Sequence, residues 1–328
     1  MAVKPISRSH LASLRPLERT LKDACTRHDI VQAEATLKEI HALLADYGVK
    51  HPRMLEARLW YFESLLDSNH VSVAESGFVS IREKSPVGGR LRIEATFLLS
   101  VALLRQRKTS DAKAHFRSVL KNLNKISSSK TRRLLQRRIF ERFEEEAILT
   151  ELIGANEGPL IPEEIHNAAI LLLKNKSEEE LYEYLASAVP AKSVYLLDDV
   201  RNNGLLQLSS GDRLFLPAPN QATSPFGLGR RVGALLKRIG WRTVCDTKSP
   251  IYQMWATKVP EIYSLTYFAT AISQAFSNYQ IGIPLLAAGV TAIVMKSSAA
   301  EFCEWAKPEP IMKARRKGEP NKAVKNGP

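Results

Sequence analysis

Ala33–Ile40 (AEATLKEI), Ala74–Ile81 (AESGFVSI) and Ala112–Val119 (AKAHFRSV) carry the reading on which the fold turns. Each opens on alanine, reaches Leu37, Phe78 or Phe116 four residues later, and closes on Ile40, Ile81 or Val119. Residues so spaced share one face of an α-helix, where a small side chain lets a neighbouring helix approach and a large one fills the facing groove. Outward from these triplets, apolar residues keep helical spacing from Leu14 to about Ala188. The predicted helices are 14–27, 31–47, 53–67, 71–84, 90–107, 109–124, 128–153, 162–175 and 177–188. Ser110 before Asp111, Ser177 before a glutamate triplet, and Pro162 before Glu163 and Glu164 are start signals. Nothing in this half alternates as a strand would.

The triplets recur at 41 and then 38 residues, and Ala95–Leu104 supplies an upstream partner helix for the third copy. Over roughly residues 14–124 the pattern resembles the tetratricopeptide repeat (TPR). It departs from that family in period and lacks the Trp-Leu-Gly-Tyr signature of the first helix. The resemblance implies an α-solenoid that recognises protein segments; spacing alone implies only stacked amphipathic helices, and generic helix-hairpin packing is the competing reading.

The chain has 328 residues and a formal charge of +13, with 45% apolar and 25% charged residues, a folding composition. Two domains are expected at this length. Cys25, Cys245 and Cys303 are too few and too scattered for a disulfide framework or a zinc knuckle, and they fit a reducing compartment. Met1–Pro16 has no apolar run of signal-peptide length, so a cytoplasmic location is expected, with peripheral membrane association left open.

Helix 128–153 has an unusual charge order: Lys130, Arg132, Arg133, Arg137, Arg138 and Arg142 precede Glu144, Glu145, Glu146 and Glu151, against the helix dipole. Arg132, Arg133 and Arg137 are candidate ligands for phosphate or an acidic partner. The plainer reading pairs Arg138, Glu141, Arg142 and Glu145 along a solvated face.

Composition changes at Pro190. Ser193–Leu197, Leu205–Leu208 and Arg213–Leu216 are β-prone runs separated by Asn203-Gly204 and Gly211-Asp212, which predicts a small β-meander. An amphipathic helix follows over about 228–239. Leu228, Val232, Leu235, Leu236 and Ile239 line one face, and Arg230, Arg231, Lys237 and Arg238 the other, with Arg242 just beyond. This basic face suits phospholipid headgroups, nucleic-acid phosphates or an acidic protein, or else is simply the wet side of a core helix. Gly227, Gly229 and Gly233 are spaced one residue too widely for a dinucleotide fingerprint and follow a proline-bearing loop, not a strand.

Ile262–Met295 runs 34 residues without Asp, Glu, Lys, Arg or His. It predicts an apolar helical hairpin with an elbow at 277–284, its second helix continuing through Ala299, Phe302, Cys303 and Trp305. Leu285, Leu286, Ile293 and Val294 are its diagnostic side chains: hidden, they make a buried core hairpin; exposed, a membrane-engaging one. The residues from Lys307 carry seven basic and two acidic groups and read as a disordered basic tail.

No catalytic constellation stands out. All seven histidines precede residue 167, Glu164 and His166 face different directions on one helix, and Asp198-Asp199 lacks the further carboxylates a Mg²⁺ site needs. The expected fold is mainly α: a TPR-like α-solenoid over 1–188, a smaller α+β domain with the apolar hairpin over 190–306, and a tail over 307–328. The expected function is a non-enzymatic protein–protein adaptor without cofactor, metal or small-molecule substrate. A membrane-associated effector acting through 259–306, for instance in bacterial defence, and a nucleic-acid binder acting through 228–242 are the alternatives.

Overall fold

In a computed structural model, residues 5–213, 216, 224–246, 249–257, 266–296, 299–307 and 310–312 are described. They form sixteen α-helices, and no strand occurs among them. Six helices make three hairpins: α1 (Arg8–Thr26) with α2 (Ile30–Leu43), α3 (Pro52–Asp67) with α4 (Val71–Lys84), and α5 (Arg90–Arg105) with α6 (Thr109–Asn122). The first helices also pack on one another, α1 on α3 and α3 on α5, and α5 then packs on α7 (Ser129–Leu152). The alanines of all three triplets are fully buried, as are Ile40, Phe78 and Ile81; Phe116 and Val119 are nearly so, and Leu37 packs at the edge. Helix α6 starts one residue before Ser110, so Ser110 lies inside it and does not cap it. Ser177 does cap α9 (Glu178–Ser187), in a reciprocal box with Glu180.

The hairpin turns repeat along with the triplets. His28, Asn69 and Arg107 all hold a left-handed backbone, with φ of 57°, 62° and 60°. In each turn that residue's N–H reaches the carbonyl three back, in Cys25, Leu66 or Leu104, and the next N–H reaches five back, in Ala24, Leu65 or Leu103. This is a Schellman closure of the first helix, built three times without glycine.

The predicted β-meander is absent. Ser193–Leu197 lies inside α10 (Ala191–Leu205), Leu206–Leu208 is turn, and Arg213 ends the short helix α11 (Ser210–Arg213); residues 214–215 lie outside the described set. Ser193, Leu196, Leu197, Val200 and Arg201 are buried, a helical period that β-prone residue types disguise. Gly204 is no turn. A Cβ there would stand 2.8 Å from the Phe140 ring, so glycine admits α10 against α7. The domain after Pro190 is therefore helical among its described residues.

Four further helices build the second core with α9. They are α8 (Pro162–Asn175), α12 (Pro225–Cys245), α14 (Tyr267–Asn278) and α15 (Pro284–Lys296), with α13 (Pro250–Thr257) and α16 (Ala299–Trp305) beside α12. Contact between α12 and α9 is so close that a Cβ on Gly229 would stand 1.7 Å from the Tyr182 carbonyl oxygen. Gly227, Gly229 and Gly233 all lie within α12, and Gly229 and Gly233 serve packing. The two apolar cores divide inside α7, between Ala147 and Ile148, not where composition changes at Pro190.

Two more expectations are corrected. Cys245 and Cys303 are joined by a disulfide across 58 residues of sequence, tying α12 to α16, because the hairpin carries the chain back to the end of α12. The region from Lys307 is not wholly a loose tail: Ile311 and Met312 are buried in the first core, and their N–H groups donate to Glu63 at 2.6 and 3.3 Å. Residues 313–328 lie outside the described set.

Asn69 is exposed, which isolates the backbone contribution of its turn. Asn69→Val is expected to lower unfolding free energy by about 1–2 kcal/mol, and Asn69→Gly to match or exceed the parent, in denaturant titrations.

Candidate functional site

The charge order of α7 is explained by what packs on it. Its glutamates face α12, and the basic positions of α12 face back. Arg231 Nη1 lies 2.8 Å from Glu144, and Arg238 lies 2.6 Å from Glu145 and 3.1 Å from Glu146. Arg201 of α10 reaches Glu144 at 3.0 Å. From the array, Arg105 forks onto both oxygens of Glu146 at 2.8 and 2.9 Å. Arg142 pairs with Glu146 at 3.0 Å and also bonds Asp67. Four helices of the array and C-terminal half thus converge on α7: α3 through Asp67, α5 through Arg105, α10 through Arg201 and α12 through Arg231 and Arg238.

Burial makes this pairing obligatory. Asp67, Glu144 and Glu146 are almost fully enclosed, and an enclosed carboxylate without a cation pays a desolvation cost that water no longer offsets. For Glu146 burial favours the neutral acid, yet Arg105 and Arg142 outweigh it and bring its pKa down to about 2. Asp67 follows the same logic: burial opposes its charge, and Arg142, His28, Arg105 and Arg238 together hold it below the usual carboxylate range. For Glu63 the balance goes the other way, although Arg142 and the two N–H bonds it accepts favour its charge. Burial, with Asp67 beside it, pushes it up to about 8, so it accepts the Ile311 and Met312 N–H groups largely as a neutral acid at pH 7.

Two cavities open along the α7–α12 seam and share Glu141, Glu145 and Ala234. One, about 450 Å³, lies towards α10, with Arg137, Arg230 and Arg231 around Phe140 and Phe226. The other, about 340 Å³, lies towards the C-terminal segment, with Arg138, Arg142, Lys237, Arg238 and Lys307 in its walls. The Lys237 Nζ bonds the Tyr182 hydroxyl at 2.8 Å and stands 5.2 Å from the centre of that ring. Burial, reinforced by Arg230 and only partly countered by Glu178, brings its pKa down to about 7.

The residues expected to bind anions therefore divide. Arg137, Arg230 and Arg231 gather in one cavity, and Lys237 and Arg238 in the other. Arg230 is exposed over Phe226, Arg231 and Arg238 are engaged by glutamates, and Arg137 pairs with Glu141 at 2.7 Å. Arg132 and Arg133 are elsewhere, 3.6 and 3.8 Å from Asp212 of α11. The side chain of Arg242 lies outside the described set. The solvated ladder expected through Arg138, Glu141, Arg142 and Glu145 takes another form: Glu141 pairs with Arg137 on the exposed side, Arg142 is buried with Asp67 and Glu146, and Glu145 meets Arg238 of α12.

Of the hairpin's diagnostic side chains, Leu286, Ile293 and Val294 are buried and Leu285 is half exposed, at 51%. No helix among the described residues is long and apolar enough to cross a membrane, and no group of three or more potential metal ligands occurs among them. Sequence reasoning missed Glu63, Asp67 and Arg105. Their signal was a charged residue within or at the end of an otherwise apolar helix, visible in Pro52–Asp67 and Arg90–Arg105.

Removing Glu146 takes a shared buried carboxylate from Arg105, Arg142 and Arg238. Glu146→Ala is expected to cost about 3–5 kcal/mol of unfolding free energy. Glu141→Ala, on the exposed rung of α7, is expected to cost under about 1 kcal/mol in the same chemical denaturation series.

Comparison of the whole chain with protein-family models, with curated proteins and with solved structures finds no match.

Proposed function

We propose that this chain is a non-enzymatic protein–protein adaptor whose helical array takes up a short apolar segment of a partner. The observation that carries the reading is the seat of Ile311 and Met312. A short helical turn at Ile311 and Met312 places two apolar side chains in the core of the array and hands two backbone N–H groups to one buried carboxyl, Glu63 of α3. Recognition of a peptide by a helical-repeat surface needs those same elements: apolar pockets for side chains and a fixed acceptor for main-chain donors. The chain's own segment, Pro310–Met312, marks the seat, and a partner segment with two adjacent aliphatic residues is the occupant it fits.

Packing accounts for part of what motivated the two alternatives. The uncharged stretch is accounted for by packing of α14 and α15 on α8, α9 and α12. On the basic face of α12, Arg231 and Arg238 are engaged by Glu144, Glu145 and Glu146, while Arg230 stays exposed.

A labelled peptide with the sequence of residues 305–318 and the full-length chain test this. The unmodified chain is expected to bind the peptide weakly, because its own segment occupies the seat. Ile311→Asp combined with Met312→Asp is expected to raise affinity by about tenfold or more in fluorescence anisotropy. Absence of binding to a double variant that still unfolds cooperatively would count against the adaptor seat.

A further inference from the structure

We propose that the Cys245–Cys303 disulfide is a redox-operated clasp: closed, it holds Pro310–Met312 on Glu63, and cut by a dithiol reductant it lets that segment leave. As regulation of a partner's seat this rests on the adaptor reading; as a hold on the chain's own segment it stands apart from it.

The bond sits at a junction between the two cores. Cys245 is the last residue of α12 and belongs to the second core, and Cys303 lies on α16. Eight positions beyond Cys303 the chain enters the first core at Ile311. Helix α16, with Ala306 directly after it, is the second core's last grip on the described chain before Glu63.

That grip is concentrated around the covalent bond. Helix α16 has seven residues, too few for a helix to persist by its own hydrogen bonds. It packs on α12 and α15, Phe302 and Ala306 are buried, and the Trp241 indole N–H donates to the Cys303 carbonyl at 2.8 Å. These non-covalent contacts are few and centred on one turn, so once the bond is cut they let go together.

Chain length sets the consequence. With α16 clasped, the tether to Ile311 runs eight residues from Cys303. With α16 released, the nearest described helix end upstream is Lys296 of α15, fifteen residues away. The effective concentration of a tethered segment falls roughly as the −3/2 power of tether length, so the docked-to-open ratio drops about two- to threefold from length alone.

A dithiol balances the chemistry. Cys303 is half-buried and Cys245 nearly enclosed, so an incoming thiolate meets Cys303 Sγ first. A mixed disulfide forms there, the Cys245–Cys303 bond breaks, and the Cys245 thiolate leaves and takes a proton. The reductant's second thiolate then attacks its own sulfur in the mixed disulfide, and Cys303 leaves and is protonated in turn. The protein gains two electrons and two protons, and the reductant ends as a disulfide. Cys25 is buried in the first core and takes no part.

Hydrogen–deuterium exchange of the full-length chain, oxidised and after dithiothreitol, reads the clasp through the two amides bonded to Glu63. Ile311 and Met312 are expected to exchange about two- to threefold faster in the reduced chain, with the amides of α8 and α9 unchanged. Cys303→Ser is expected to exchange at the reduced rate in either buffer. Equal rates in the two forms would overturn the inference, and so would a reduced chain in which α8 and α9 speed up as much, since the bond would then be a general staple. The labelled 305–318 peptide separates this from the adaptor reading. It is expected to bind the reduced parent about two- to threefold more tightly than the oxidised one, and the Ile311→Asp, Met312→Asp chain equally in both forms. Faster exchange without peptide binding would sink the adaptor and leave the clasp; peptide binding with equal exchange rates would do the reverse.

Discussion

Three consecutive glutamates on one helix, Glu144, Glu145 and Glu146, meet arginines from α5, α10 and α12 and from α7 itself, and the rest of the molecule is arranged around that meeting. Enclosed charges of this kind contribute little net stability, because desolvation offsets most of the attraction. What they contribute is register. Sliding α12 by one residue along α7 would leave Arg231 and Arg238 facing the wrong partners, and every mispaired charge would be dry. The ion pairs add this requirement to the close glycine packing of α12 on α9. Because Arg105 and Asp67 belong to the first hairpins, the same constraint fixes the array against the C-terminal helices.

The array itself was legible because its signals are local. The small–large–aliphatic triplets, the nine helix positions over 14–188 and the cap at Ser177 all follow from side chains within a turn or two of each other. Its irregular period also has a physical counterpart: the left-handed turns at His28, Asn69 and Arg107 recur at the same 41 and 38 residues as the triplets. No glycine marks them, so turn chemistry alone would not have found them.

The failures share a different cause. Ser193–Leu197 has β-prone residue types, but burial at Ser193, Leu196, Leu197 and Val200 obeys a helical period, and tertiary packing against Phe140 overrides propensity. Gly204 and Asn203 look like a hairpin turn in isolation; only the closeness of α7 shows why glycine stands there. The cation face of α12 read as a surface because its partners lie some ninety residues upstream, and nothing in a one-helix view connects Arg238 with Glu146. Long-range pairing likewise hid the disulfide and the docking of Ile311 and Met312 on Glu63, separated by 248 and 249 positions. Of the candidate anion ligands, five of eight reach the two cavities, since both contributing helices were identified even though their mutual contact was not.

Glu63 of α3 accepts the backbone of Ile311 and Met312, and Ile311 also lines the cavity beside the seam between α7 and α12. This arrangement presupposes that the seam is held by specific charge pairs. A double-mutant cycle on Glu144 and Arg231, using Glu144→Gln and Arg231→Met singly and together, measures that directly by chemical denaturation. The account predicts a coupling free energy above about 1.5 kcal/mol; losses that add to within about 0.5 kcal/mol would contradict it.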